Sequence, residues 1–515
     1  MKRIYHLVLY AVLLVGGNTL SATAGQEYDI AIIGGRVVDP ASGLDAVRNV
    51  GIRGNRIVAV TKKKINAKKV IDASERVVSP GFIDFHAHGQ SILAGRIQAL
   101  DGVTTALELE KGVLPVGAFY DQLAKEGRPI NYGASVNWAA ARMAVLLNLT
   151  PQADQNWVTE SFSKPNWQSH LATKEELEKI SQLIRRGMDE GGIGIGFLTG
   201  YAPKSGFKEY YIVTELAAEY NLPTFTHARY LSMIEPQSSF EGMAEIISAA
   251  AGTGAHTHIV HLNSISLRDI DDIGAMIRGA QEKGLNITTE AYPYGAGSTL
   301  IGAAMFRGEH WHERTGGLAA HNFDVNGERL SEEEFARLQK QEPLTPTVIH
   351  FLEESDPVQR AFLDKSVLFP GGVIASDAVA WYLDGKELPQ DTWPLPENAW
   401  SHPRSAGTYS RFLRQYLREK KAVTLLEAIE RVSYGPARIL EDEIPQMKKK
   451  GRLQPGADAD VVIFDPETVT DNATYKHPAR PSTGFDYVIV NGVVLVEQGK
   501  LDTSVLPGQP VRNTP

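Results

Sequence analysis

Five stretches of this 515-residue chain end an apolar run on side chains that bind metals or move protons. They are "GFIDFHAHG" with His86 and His88, "GVTTALELEKG" with Glu108 and Glu110, "PTFTHARY" with His227, "HTHIVHLN" with His261 and "GVIASDA" with Asp377. Side chains alternate across an extended strand, so His86 and His88 share one face, as do Glu108 and Glu110. Two imidazoles at that spacing can reach one ion. Two carboxylates turned into a protein interior cost several kcal/mol unless a cation compensates them. The chemistry such a set supports is metal-assisted hydrolysis, with imidazole and carboxylate ligands, an ion that acidifies water and an acid that carries the proton.

The elements that must position these residues follow from the texture of the chain. "YDIAIIGGRVVDPASGLDAVRNVGIRGNRIVAV" reads as short alternating strands broken at Gly35, Gly43 and Gly54. From Gly81 to about Arg438, short apolar strands alternate with amphipathic helical patterns, which predicts a parallel α/β fold closed as a (β/α)8 TIM-like barrel. Past residue 450, "GRLQPGADADVVIFDP" and "YVIVNGVVLVEQGK" return to the strand texture of the start. The expected organisation is therefore one small β-sandwich domain made from both termini, residues 25–78 and 446–515, around a barrel at 79–445. A charged, helix-prone stretch at about 306–365 reads as a βα insertion, or lid. In such a barrel the strand ends converge on the C-terminal face, which would bring the five stretches together.

Residues 1–24 read as a signal peptide. Lys2 and Arg3 precede an apolar run, Leu7–Gly17, too short to span a bilayer, and Ala22-Thr23-Ala24 supplies the small-residue cleavage pattern. This predicts a secreted, periplasmic protein with no stable membrane anchor after cleavage. The net charge of −9 becomes more negative on losing Lys2 and Arg3, which argues against nucleic acid or anionic membrane as a partner. Hydrophobic residues at 43% and charged residues at 22% suit a globular enzyme. There is no cysteine, so disulfides and thiolate ligands are excluded.

The motifs "PGFIDFHAH", "DGVTTALELE", "GIGIGFLTGYAP", "PTFTHAR", "HIVHLNS", "EAYPYGAGST", "IASD", "HPRSAGTYSRFLR" and "GADADVVIFDP" resemble those of the metal-dependent amidohydrolase superfamily, and within it the D-aminoacylase (N-acyl-D-amino-acid deacylase) group. The resemblance spans nearly the whole chain after residue 24. It implies His86 and His88 as ligands of one metal, His227 and His261 of another, and Asp377 as the acid that binds metal and handles protons. It implies Arg404 as the clamp for a small-molecule substrate's free carboxylate, a task its planar fork suits. Tyr292 and Ser298 would hold the substrate and polarise its carbonyl.

Two positions depart from that pattern. The group carries a cysteine as a shared ligand near the end of the second strand, where this chain has "LELEKG". A carboxylate is expected to replace it, with the candidates ordered Glu110, Glu108 and Lys111, the lysine because carboxylated lysine bridges metals in relatives. An oxygen ligand leaves zinc as the first choice, as one or two ions, but makes manganese or cobalt more tolerable. Asn263 stands where the group often has a lysine, removing one substrate contact.

Other histidines compete. His256 and His258 fall on the opposite strand face from His261, and the resemblance favours His261. His310, His312, His321 and His350 fall in the insertion and read as solvated, while His402 reads as shaping the Arg404 loop. The expected reaction is hydrolysis of N-acyl-D-amino acids, with acidic side chains such as D-glutamate conceivable. The alternatives are a dipeptidase or cyclic-amide hydrolase of the same superfamily, and a catalytically inactive binding protein on the same barrel.

Overall fold

The computed structural model describes residues 28–513 apart from Ser163, so the expected signal peptide lies outside the described residues. Eight strands build the barrel in chain order: β1 (Phe82–Asp84), β2 (Val103–Val113), β3 (Asn131–Asn137), β4 (Ile195–Leu198), β5 (Thr224–His227), β6 (Thr257–Ile259), β7 (Ile287–Ala291) and β8 (Val373–Ile374). Each pairs in parallel with its sequence neighbour. Just past β1 and β8, Ala87 and Ala378 pair in parallel and the His88 N–H donates to the Ala378 carbonyl at 2.8 Å, closing the ring. Nearly every strand residue is buried because helices cover the barrel outside while side chains fill its inside. Helix Lys174–Asp189 illustrates the outer layer. A Thr173–Glu176 capping box starts it, and Ile180, Ile184 and Met188 form its buried stripe.

The termini form one nine-stranded sheet. Its central join is the antiparallel pair of Val77–Pro80 with Val461–Phe464. Val461 and Ile463 enter the core of this β-domain, whereas Val462 and Phe464 face the barrel, with Phe464 edge-on to Phe82. Burial on both faces explains the unbroken apolar run "VVIF". Strand Tyr28–Asp39 is bulged between Ile32 and Gly35; its first half lies beside Ala67–Asp72 and its second beside Val77–Pro80.

The segment between β7 and β8 differs from the helix-prone insertion expected at about 306–365. It carries a four-stranded antiparallel sheet whose main pair is Ala296–Leu300 with Pro346–His350, over a core that includes Phe306, Trp311, Phe323 and Phe335. The strand "AGSTL" is small and polar, so it lacks the period-2 alternation that identifies a strand.

Within this sheet His350 is buried, 4.7 Å from the Tyr475 ring, and burial lowers its imidazole pKa to about 3. A histidine depressed in the folded state stabilises above its unfolded pKa of 6.5 and loses that contribution as pH falls toward 3. Between pH 6.5 and 5 the protein should lose about 2 kcal/mol from this residue. Calorimetric Tm against pH should therefore fall less steeply in His350→Phe; equal slopes would remove His350 as a cause.

Candidate metal centre

The ends of β1, β2, β5, β6 and β8 meet where the barrel opens. β2 runs eleven residues, and both Glu108 and Glu110 on it are buried, facing inward. Strand β4 packs tightly over it: a Cβ at Gly196 would lie 2.3 Å from the Glu110 carbonyl oxygen, so no side chain fits there. Gly200 likewise has its Cβ position 2.7 Å from His227 Nε2, which lets the next turn close over that imidazole.

Glu110 is the hub. Its Oε2 lies 3.0 Å from His86 Nε2 and 3.2 Å from His88 Nε2, and its Oε1 lies 2.8 Å from His227 Nδ1 and 2.9 Å from His261 Nε2. On the first side, His86 Nε2 and His88 Nε2 are 3.2 Å apart, and Asp377 Oδ1 is 3.4 and 3.3 Å from them. On the second side, His227 Nδ1 and His261 Nε2 are 3.0 Å apart. A tetrahedral ion with bonds of about 2.0–2.1 Å has ligand–ligand edges of about 3.3 Å, so His86, His88 and Glu110 on the first side, and Glu110, His227 and His261 on the second, each span three corners. Three ligands leave a corner open, the arrangement of a catalytic rather than a closed site.

The tautomers sharpen this fit. His86 Nδ1 lies 2.6 Å from Glu290 Oε1, and His88 Nδ1 lies 3.0 Å from both Glu108 oxygens. A carboxylate only accepts, so each Nδ1 carries a proton, and each neutral ring would turn its Nε2 lone pair inward. Two carboxylates packed against the Nε2 atoms of two imidazoles call for positive charge among them, supplied by a bound cation or by the imidazoles themselves. The field agrees. Burial opposes charge on His86, yet Asp377, Glu110 and Glu290 outweigh it and hold its pKa well above 6.5. Burial would raise Glu110, but His86 and hydrogen bonds from His227 and His261 hold it well below the usual carboxylate range.

Outside the ligand set, carboxylates and hydroxyls fix the rings. Glu290, at the end of β7, joins His86 Nδ1 to His258 Nε2, which lies 3.1 Å from its Oε2, and His86 holds its pKa down at about 2 against burial. Ser264 Oγ lies 2.9 Å from His261 Nδ1. Sequence reasoning missed Glu290, because β7, "ITTEA", places two threonines before the acid and gives no apolar run for it to close. Partners of this kind hold ligand geometry, and losing one typically costs 10–100-fold in metal affinity or activity. Glu290→Gln should therefore weaken metal binding by roughly 10–100-fold in a competitive chelator titration. Wild-type affinity would remove Glu290 from that role.

The remaining expected residues fall as follows. Glu108 braces His88 rather than converging on the ion positions, and Lys111 turns to the cleft wall, so of the three replacements for the cysteine only Glu110 joins both ligand groups. His258 points into the barrel between Phe85 and Phe225. The parity argument for His261 fails in its premise: β6 ends at Ile259, and His261 leaves the strand with φ +32°, a left-handed conformation that turns its ring to the centre. Asp377 has φ +51° for a similar reorientation after β8. Asn263 is consumed structurally, its Nδ2 donating to the Tyr294 carbonyl at 3.1 Å. His310 is exposed and pairs with Glu313. The His402 Nδ1 accepts from the Arg404 N–H at 3.0 Å, shaping that loop.

A cavity of about 160 Å³ opens on the centre, with Tyr292, Gly297 and Ser298 on one wall. Arg404 sits behind that wall, fully buried. Its Nη2 is 2.8 Å from Asp377 Oδ1, its charge is 4.7 Å from the Tyr292 ring, and no nitrogen of its guanidinium meets hydrogen-bond geometry among the described residues. Gly297 leaves a niche there: a Cβ would lie 3.1 Å from the Tyr292 hydroxyl and 3.5 Å from Arg404 Nη1. A buried guanidinium with N–H groups to spare beyond its Asp377 contact, beside a phenol, has the chemistry to bind an anion such as a carboxylate.

A family model described as "Amidohydrolase family" matches residues 69–272 and 263–496. An N-acyl-D-glutamate deacylase of Alcaligenes xylosoxydans xylosoxydans is 25% identical over 511 residues, covering 92% of this chain and 94% of its own. A D-aminoacylase crystal structure aligns at TM-score 0.74 with 23% identity, covering 95% of this chain and all of its own. An N-acyl-D-glutamate deacylase from Bordetella bronchiseptica, complexed with zinc and a phosphonate mimic of the tetrahedral intermediate, aligns at 0.74 with 22% identity over the same shares.

Proposed function

The chain belongs to the amidohydrolase family, and from that premise we propose that it removes the acyl group from N-acyl-D-amino acids with the help of divalent metal. The observation that carries this reading is the wall at Gly297, behind which Tyr292 and the buried Arg404, ion-paired with Asp377 and with N–H groups to spare, would take a carboxylate beside the His–Glu centre. His86, His88, Glu110 and Asp377 would hold one ion, and Glu110, His227 and His261 a second. Zinc is the first choice, with manganese or cobalt tolerated by the oxygen ligands. A bound ion supplies Lewis acidity and brings the pKa of water from 15.7 toward 7.

The chain's own residues do the rest. Tyr292 and Arg404 take the substrate carboxylate and set the register, and through it the chirality, of the amide. Ser298 lines the same wall and holds the substrate. Burial would raise the Asp377 carboxyl, but Arg404 and His86 keep it below its ordinary value. It is therefore ionised at neutral pH, ready to take the proton of the attacking water and return it to the leaving nitrogen.

The cavity wall favours an apolar D-side chain over an acidic one. Leu231, Met305, Phe306, Ile349 and Phe351 line it, and no lysine or arginine does among the described residues. A cyclic amide without a carboxylate substituent leaves Arg404 with nothing to bind, and a pure binding protein has no use for Asp377. Export remains part of the proposal, resting on the residue 1–24 pattern; the N-terminal sequence of the mature protein checks it.

The test is primary-amine release by metal-supplemented protein from paired N-acetyl-D- and N-acetyl-L-leucine. Release from the D-substrate alone is expected. Release from neither, with hydrolysis of cyclic amides, would overturn the reading.

A further inference from the structure

A second cavity, about 190 Å³, adjoins the first. The two share His88, Glu110, Tyr201, Ser298 and Thr299 in their walls. Between them the Tyr201 hydroxyl and Thr299 Oγ1 are 2.9 Å apart, forming a bar across the cleft. The second lobe is walled by Val158, Phe162, Leu198, Leu300, Pro346 and Trp400. Lys111 is the one lysine or arginine lining it among the described residues, close enough to Glu387 to lower the pKa that burial raises there.

We propose that this second lobe is an acyl-chain subsite, and that the preferred substrates carry unbranched apolar acyl groups of about six carbons rather than acetyl. The inference rests on the deacylase reading and deepens it. The carboxylate niche opens from the first lobe, so the amino-acid half of the substrate lies there. The scissile carbonyl would lie at the shared wall beside Glu110 and His88, and the second lobe is the adjoining apolar space for the chain beyond it. That lobe holds roughly six times the ~30 Å³ that one water occupies in the liquid, far more than an acetyl methyl fills. Each methylene transferred from water to its apolar wall should raise kcat/KM about fourfold.

The experiment compares kcat/KM of the metal-supplemented full chain for N-acetyl-, N-butanoyl- and N-hexanoyl-D-leucine. A hexanoyl-to-acetyl ratio on the order of 10² is expected. Leu300→Trp, which fills the lobe from the insertion, should cut that ratio at least tenfold. Thr159→Trp, on another part of the wall, replaces it if the first variant does not fold. A flat or falling chain-length series with D-acetyl hydrolysis intact overturns the subsite but leaves the deacylase reading standing. No release from any N-acyl-D-leucine overturns both. A ratio unchanged by the lobe-filling variants assigns any chain-length preference elsewhere and also overturns the proposal.

Discussion

Replacing Glu110 by glutamine will strip the centre of stoichiometric metal and of turnover. The amide keeps the shape of the side chain but removes its charge and puts an NH2 where one oxygen stood. Its two oxygens contact His86 and His88 on one side and His227 and His261 on the other, so no rotamer restores both. Breaking a buried charge network by removing one partner costs about 3–5 kcal/mol, or roughly 10²–10⁴ in affinity. Metal content by elemental analysis and amine release should fall together. Glu108→Gln is the control: it loosens His88 alone, and a brace of this kind costs roughly 10–100-fold. If Glu108→Gln proves the more damaging change, Glu110 is not the hub.

Asp377→Asn should cut kcat by about 10²–10⁴, the range of a lost proton carrier, while metal is retained by the other ligands. It also leaves Arg404 without the carboxylate 2.8 Å from Nη2, in a site with no solvent exposure. The Tm should fall as a result, and added N-acetyl-D-leucine should raise it by more than in the wild type, because the substrate carboxylate becomes the only anion for Arg404. Circular dichroism below the Tm should match the wild type. Wild-type turnover would remove Asp377 from proton transfer, and an unaltered Tm response to the ligand would separate Arg404 from the carboxylate.

The fold was legible because its signals are local. Apolar strands alternating with amphipathic helices specify a parallel α/β sheet, and the repeated strand texture at both ends points to one β-domain. The cluster of candidate ligands was legible because its members follow apolar runs. What escaped was non-local or left regular structure. Glu290 matters because it lies 2.6 Å from a histidine 204 residues earlier, a pairing no spacing reveals. His261 reaches the centre through a left-handed backbone conformation, beyond the strand whose parity appeared to govern it. The insertion sheet was hidden because Gly297, Ser298 and Thr299 give its first strand no apolar face. The space that the missing Cβ of Gly297 leaves beside Tyr292 and Arg404 is likewise marked by no sequence pattern.

In the proposed reading, Glu110 would help to hold the metal on which hydrolysis by this cysteine-free chain depends. The most direct test is to remove metal with a chelator, add back zinc in increments, and follow ions per chain alongside amine release from N-acetyl-D-leucine. No turnover without metal, and turnover that appears with bound ions in the wild type but not in Glu110→Gln, is the predicted result. Undiminished turnover by metal-free protein, or equal recovery by Glu110→Gln, would contradict it.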